Sequence, residues 1–162
     1  MGKSILIAIC VAAAFVLEFF LFNMLGRWLT PNLELLLIIF FNLYFGIRYG
    51  LVTAVLAGVL KDSFSPAAFG IYTSSFMVCA YMTTLLKQYI YHMGSRLSRS
   101  ILILSIVIIN VIVHSILYSA RVGAIDGGEV VRYVFLPQAV VTLLAAPFLF
   151  TQLKRCASRL FA

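Results

Sequence analysis

The chain has 162 residues, of which 64% are hydrophobic and 10% are charged, and its net charge is +7. Soluble domains average about 45–50% apolar and about 25% charged residues, so this composition excludes a soluble globular protein. A chain of this length holds five or six membrane spans of about 20 residues with short loops, and leaves no room for a separate soluble domain. We therefore expect an all-α, polytopic transmembrane helical bundle.

The first apolar run covers residues 5–25 and contains one interior acidic residue, Glu18. A signal peptide has an apolar core of about 7–15 residues that is followed by a small-residue cleavage site. The run here is longer and ends in the sequence NMLG. We therefore expect it to be retained as the first span.

The second apolar block, residues 33–60, is interrupted by the sequence GIRYG at residues 46–50. One continuous helix would place Arg48 near the middle of the bilayer, at a cost of about 2.5 kcal/mol or more. A hairpin of two short spans, residues 33–47 and 49–60, would place Arg48 at an interface instead. We favour the hairpin.

Three further spans are predicted at residues 70–86, 101–120 and 131–153. The last contains Pro137 and Pro147, which lack a backbone donor and are expected to bend the helix. The chain is thus expected to form a single transmembrane domain, residues 1–162, with six spans.

The basic residues predict the orientation. With the N-terminus inside, the cytoplasmic loops and tails carry eight basic residues and the outer side carries four. This bias predicts a multi-pass membrane protein with both termini in the cytoplasm. The positive charge then reflects topology, so we expect no nucleic-acid partner. The basic, tyrosine-containing loop at residues 87–100 is typical of an anchor for anionic membrane lipids, and a docking surface for a cytoplasmic protein is the alternative.

Small residues recur at every fourth position along one helix face of the second block and its extension: Gly46, Gly50, Ala54 and Gly58. Such a stripe lets a second helix approach to backbone contact. The second helix belongs either to the same bundle or to a partner. Asp62 follows the stripe, and its carboxylate is predicted either to cap the next helix or to pair with a basic group.

Two ionisable residues lie inside predicted spans, Glu18 and His114, and Asn110 lies one helical turn before His114. Together these three are candidates for an intramembrane polar cluster, either a hydrogen-bond network or a ligand or proton site. The sequence shows no paired acids, no phosphate-binding glycine loop and no metal-ligand spacing of its cysteines. We expect no catalytic residues, no metal and no cofactor, so an enzyme is disfavoured.

The order of Pro31-Asn32 before an apolar span, a span punctuated by Gly50 and Gly58, and then Asp62, Ser65 and Gly70 resembles the MreD family of rod-shape-determining bacterial membrane proteins. The resemblance implies a non-catalytic member of the cell-elongation machinery, located in the bacterial inner membrane. It implies partners as well: an MreC-like protein, a RodA-like glycosyltransferase, a class B transpeptidase and, indirectly, an MreB-like filament. By the same resemblance, the glycine stripe and a rim group become candidates for helix packing and partner contact. The rim group consists of Pro31, Asn32, Asp62 and Gly70.

A second class of protein fits the same span count and length. The substrate-capture subunit of an energy-coupling-factor vitamin transporter is also a six-span chain, and Glu18, Asn110 and His114 are candidates to line its ligand pocket. Two features oppose this alternative: the outer loops are short, and Ala12-Ala13-Ala14 point three ways around the first helix rather than forming a stripe.

Overall fold

The structure is a computed structural model that describes residues 2–26, 30–65, 69–90, 96–122 and 136–161. These residues form six α-helices: α1 (Gly2–Leu25), α2 (Leu33–Phe45), α3 (Ile47–Phe64), α4 (Ile71–Ile90), α5 (Arg96–Val122) and α6 (Leu136–Phe161). No strand occurs within the described ranges, which confirms the expected all-α fold. Residues 131–135 of the last predicted span lie outside the described residues.

α2 and α3 form an antiparallel hairpin, as predicted, and the chain reverses at Gly46. This glycine has φ 93° and ψ 175°, a backbone conformation open almost only to glycine. Next to the turn, Gly50 lies against the side chain of Asn42, and at the far end Lys61 approaches Glu34. Gly46 was predicted as the first member of the small-residue stripe, but it forms the turn between the helices instead.

α2 is the central helix of the bundle. All of its residues from Leu33 to Leu43 are buried, and it contacts each of the other five helices. Its sequence is apolar on every side, which is the pattern of a helix enclosed by protein. Phe40 packs edge-on against Phe150 of α6, with 5.4 Å between the ring centroids. The other helices are therefore arranged around a rod of 13 residues, about 20 Å long.

α1 lies at the edge of the bundle. It packs on α2 and α3 through its buried residues Ile7, Val11 and Ala14. Of the window Ile7–Met24, only 11% is buried, and its exposed side chains are mostly apolar. This window and Leu97–Ala120 of α5 are long and apolar enough to cross a bilayer.

The two prolines predicted to bend the last span differ in position. Pro137 is the second residue of α6 as described. Residues 131–135 of the predicted span lie outside the described residues, so the expected bend at Pro137 stays a prediction. Pro147 does lie inside α6.

The two ends of the bundle differ in charge. At the first, which we call the Lys61 end, α1 and α3 finish while α2 and α4 begin. At the second, the Arg99 end, α2 and α4 finish while α3 and α5 begin. All three acidic residues that the structure describes, Glu18, Glu34 and Asp62, lie at the Lys61 end. The Arg99 end carries the basic residues Arg48, Lys87, Arg99, Lys154 and Arg155.

Candidate functional site

Lys61 is the centre of a polar cluster that joins three helices. Its Nζ donates a hydrogen bond of 2.6 Å to Glu18 Oε1 of α1, and a longer one of 3.4 Å to Asn32 Oδ1 at the start of α2. Glu34 Oε2 of α2 lies 3.6 Å from the same nitrogen. The Lys61 side chain is only 17% exposed, so water screens these attractions weakly. One lysine of α3 thus holds α1 and the beginning of α2 in place.

Glu34 is the least compensated member of this Lys61 cluster. Its side chain is fully buried, and neither carboxylate oxygen has a hydrogen-bond partner among the described residues. The second oxygen of Glu18, Oε2, is also buried without such a partner. Burial of a carboxylate is costly unless cations and hydrogen bonds compensate its charge. Among the described residues, a single ammonium group serves two carboxylates in this cluster, so acceptors and negative charge are in excess there.

Asp62, the residue after Lys61, caps α4 from the neighbouring helix. Its Oδ1 accepts a hydrogen bond from the Tyr72 N–H at 2.9 Å. Its Oδ2 accepts from the Thr73 N–H at 3.0 Å and from the Thr73 hydroxyl at 2.6 Å. The first amide groups of a helix have no partner within the helix, and negative charge is favourable there. Of the two alternatives that the sequence left open for Asp62, the structure shows the cap.

The other members of the rim group also serve the fold of this chain. Asn32 caps α2, because its Oδ1 accepts from the Leu35 N–H at 3.1 Å, and its own N–H donates to Thr142 Oγ1 of α6 at 3.1 Å. Pro31 is buried next to it. Gly70 has φ +99°, and its carbonyl accepts the Ser74 N–H in the first turn of α4. The rim group therefore marks the places where α2 and α4 begin.

The small-residue stripe faces the interior of the chain. Gly50, Ala54 and Gly58 are all buried. A Cβ on Gly58 would overlap the backbone of Thr73, only 2.9 Å from its nitrogen, and a Cβ on Gly50 would lie 2.8 Å from Asn42 Cβ. The close helix approach is therefore made within the chain, by α2 at Gly50 and by α4 at Gly58.

The residues predicted to form one intramembrane polar cluster have different partners. Asn110 Oδ1 of α5 accepts a hydrogen bond from the Ser75 hydroxyl at 2.9 Å and lies 3.6 Å from Cys79 Sγ. Glu18 instead belongs to the Lys61 cluster. Asn110 therefore stabilises the contact between α4 and α5, and Glu18 stabilises the contact between α1 and α3.

His114 borders the Lys61 cluster through an aromatic ring. Its imidazole packs against Tyr72, with 4.6 Å between the ring centroids. A second neighbour of that tyrosine ring is Lys61, whose Nζ lies 5.7 Å from the Tyr72 centroid. Tyr72 thus separates His114 from the charged groups while connecting α5 to them.

A cavity of about 320 Å³ opens beside the Lys61 cluster. Charged and aromatic side chains share its wall, among them Glu18, Lys61, Phe15, Phe19 and Tyr72. Within the described ranges, no three His, Cys, Asp or Glu side chains converge to hold a metal ion. The cavity therefore presents an ammonium group and a carboxylate next to aromatic rings to any ligand that enters it.

Lys61 and Glu34 were not among the candidate residues from the sequence, which assigned both simply to the outer side. The predicted hairpin would have identified them through their spacing from the turn. Glu34 comes 12 residues before Gly46 and Lys61 comes 15 residues after it. At about 1.5 Å per residue, both lie roughly 20 Å from the turn and hence at the same level.

The six described helices, with an apolar outer surface, enclosed polar groups and one end rich in basic residues, define a polytopic helical membrane protein. The family model described as MreD, rod shape-determining protein MreD, matches residues 2–154. Since this match covers nearly the whole chain, the chain belongs to the MreD family, whose members determine rod shape. The comparisons with curated proteins and with solved structures gave no match.

Proposed function

We propose that this chain is a non-catalytic membrane scaffold of the bacterial cell-elongation machinery. The observation that carries the proposal is the family match over residues 2–154. In this role the chain binds transmembrane helices of an MreC-type protein and of peptidoglycan synthesis proteins, a RodA-like glycosyltransferase and a class B transpeptidase. Through them it acts together with an MreB-like filament in the cytoplasm.

The surface we propose for a partner's helix is the outer face of α1. The small-residue stripe of α3 is covered by the chain itself, so a close helix contact requires small residues elsewhere. Ala12 and Ala13 provide them: they lie in a shallow apolar groove whose walls are Ile9, Val16, Leu17 and Phe20. Small residues between bulky ones let a second helix approach closely and interdigitate in a membrane.

The attachment of α1 to the bundle supports a scaffold role for this face. α1 packs on α2 and α3 only along one side, and the Lys61–Glu18 ion pair fixes it near its C-terminal end. A helix bound on the outer face of α1 would therefore be connected through Glu18 to the Lys61 cluster. The excess of basic residues at the Arg99 end supports an orientation in the inner membrane with this end and both termini in the cytoplasm.

Co-purification tests the proposal. The tagged chain is extracted from its native membrane in mild detergent, and the co-purifying proteins are identified by mass spectrometry. Ala13→Leu fills the α1 groove, and we expect it to reduce recovery of the MreC-type protein about tenfold, equivalent to about 1.4 kcal/mol. Ala120→Leu, the same change at an exposed position of α5, is the matched control and leaves recovery unchanged.

Two results would remove this proposal. Full recovery of the partner with Ala13→Leu eliminates the α1 face, and absence of any elongation protein from the wild-type preparation eliminates the scaffold. Equal loss with Ala120→Leu assigns the effect to general disturbance of the bundle.

A substrate-capture subunit is the second candidate, and the cavity beside the Lys61 cluster favours it. Its volume of about 320 Å³ falls at the small end of the range for ligand sites, and its wall combines charged and aromatic groups. Of the three residues expected to line a ligand pocket, Glu18 lines this cavity. Recovery of a nucleotide-binding transport module or a vitamin in the same purification would support this candidate against the scaffold.

A further inference from the structure

A cleft of about 730 Å³ opens between α5 and α6 at the Arg99 end, far from the Lys61 cluster. The first turns of α5 contribute Arg99, and the second half of α6 contributes Lys154 and Arg155. Deeper in the cleft the wall is apolar and includes Ile103 and Phe150. The cleft therefore has a strongly basic mouth above an apolar wall.

Arg99 and Lys154 of this cleft have no carboxylate beside them among the described residues. The three described acidic residues all lie at the Lys61 end, which is the opposite end of the bundle. Arg99 Nε is buried without a hydrogen-bond partner, and its guanidinium carbon lies 5.9 Å from the Phe150 ring centroid. Lys154 Nζ lies 5.1 Å from the ring centroid of Tyr44. Contacts with rings orient these cations but leave N–H donors available for an anion.

The surroundings of the cleft distinguish between kinds of anion. The flanking surfaces of α5 and α6 are apolar, with Ile101, Leu144 and Phe148 exposed by 54%, 72% and 69%. A soluble anion would use only the basic mouth. A molecule with an anionic head and a hydrocarbon chain would use the mouth, the apolar wall and the adjacent lipid-facing surface together.

We infer that this cleft is a binding site for the phosphate group of an anionic phospholipid. Arg99 and Lys154 bind the phosphate, and an acyl chain runs along Ile103 and Phe150. Guanidinium groups present planar, forked donors that match phosphate oxygens, and a lysine adds a point charge. The inference does not depend on the scaffold role, since it uses residues at the opposite end from the groups discussed there.

Native mass spectrometry of the purified full chain in detergent tests the site. The probes are phosphatidylglycerol and phosphatidylcholine with identical acyl chains, added separately. The wild-type chain is expected to bind phosphatidylglycerol at least about tenfold more tightly. In the double variant Arg99→Gln with Lys154→Gln, the loss of two charges near the headgroup is expected to weaken phosphatidylglycerol binding about 10- to 30-fold.

Two further variants separate the cleft from general surface charge. Arg48→Gln removes an exposed charge at the same end but outside the cleft, and it leaves the affinity within about twofold of wild type. Thr151→Trp, at an exposed position of the wall, fills the cleft without changing any charge and weakens phosphatidylglycerol binding. Thermal unfolding of each variant verifies that the bundle is intact.

Several outcomes would overturn the inference. Equal affinity for phosphatidylcholine shows that the phosphate charge is not recognised. Equal weakening by Arg48→Gln shows that surface charge, and not the cleft, retains the lipid. Inorganic phosphate or glycerol phosphate that binds as tightly as the lipid shows that the ligand is a free phosphate compound. Unchanged binding in Thr151→Trp shows that the lipid lies elsewhere.

Discussion

Lys61 Nζ lies 2.6 Å from Glu18 Oε1, and this ion pair connects the peripheral helix α1 to the α2–α3 hairpin. The same ammonium group faces the fully buried Glu34 at 3.6 Å. The stability of the Lys61 end therefore depends on one cation shared by two carboxylates.

Lys61→Met is expected to destabilise the bundle by about 3 kcal/mol, because it leaves the buried Glu34 carboxylate without its cation. Denaturant unfolding of the purified chain in detergent micelles measures this loss. Glu34→Gln in the Lys61→Met background is expected to restore most of it. If the double variant is no more stable than Lys61→Met, an unpaired Glu34 is not the cause of the destabilisation.

Glu34→Gln alone is expected to leave stability unchanged or to raise it slightly. The carboxylate oxygens accept no hydrogen bond within the described part of the chain, and the amide removes a buried charge at nearly constant volume. The same unfolding measurement applies. A loss above about 2 kcal/mol would show that the ion pair with Lys61 is worth more than the burial of the charge costs.

Asp62→Ala is expected to destabilise the chain by about 2–4 kcal/mol, because the amide groups of Tyr72 and Thr73 lose their acceptor. Ser63→Ala is the matched control. Ser63 is exposed, and its hydroxyl donates to the Val59 carbonyl of its own helix. Amide hydrogen exchange adds a local readout. Asp62→Ala should accelerate exchange in the first turn of α4, and exchange rates there that are unchanged from wild type would contradict the cap.

Gly58→Ala is expected to destabilise the bundle by about 1–3 kcal/mol, because the new Cβ overlaps the Thr73 backbone of α4. In a helix without this contact the same substitution would stabilise by about 1 kcal/mol, so the sign of the change is informative. Val59→Leu, an enlargement at the exposed neighbouring position, is the control and should be nearly neutral. A more stable Gly58→Ala variant would mean that α3 and α4 pack less closely there.

The sequence predicted those features that depend on local chemistry. The hairpin follows from the glycine-flanked Arg48, which is too costly to place in a bilayer and is exposed beside the turn in the structure. The capping role of Asp62 was one of two alternatives, and only the position of α4 in the structure distinguishes between them. The Lys61 cluster was not predicted, because Glu18 and Lys61 are 43 residues apart and only the placement of α1 against α3 brings them together. For Asn110, the shared helix face with His114 was visible, but its partner Ser75 belongs to another helix.

The enclosure of α2 has a consequence for how the protein is made. At about 20 Å, this helix is shorter than the roughly 30 Å hydrocarbon layer, and in chain order it is made before α4, α5 and α6, which enclose it in the finished bundle. Its neighbours during insertion are lipids, and its final neighbours are other helices of the same chain. The apolar residues of α2 therefore meet two successive requirements, first entry into the bilayer and then exclusion of lipid from the finished centre. Glu34 enters as part of the same hairpin as Lys61, so the carboxylate that is hardest to accommodate arrives together with its cation.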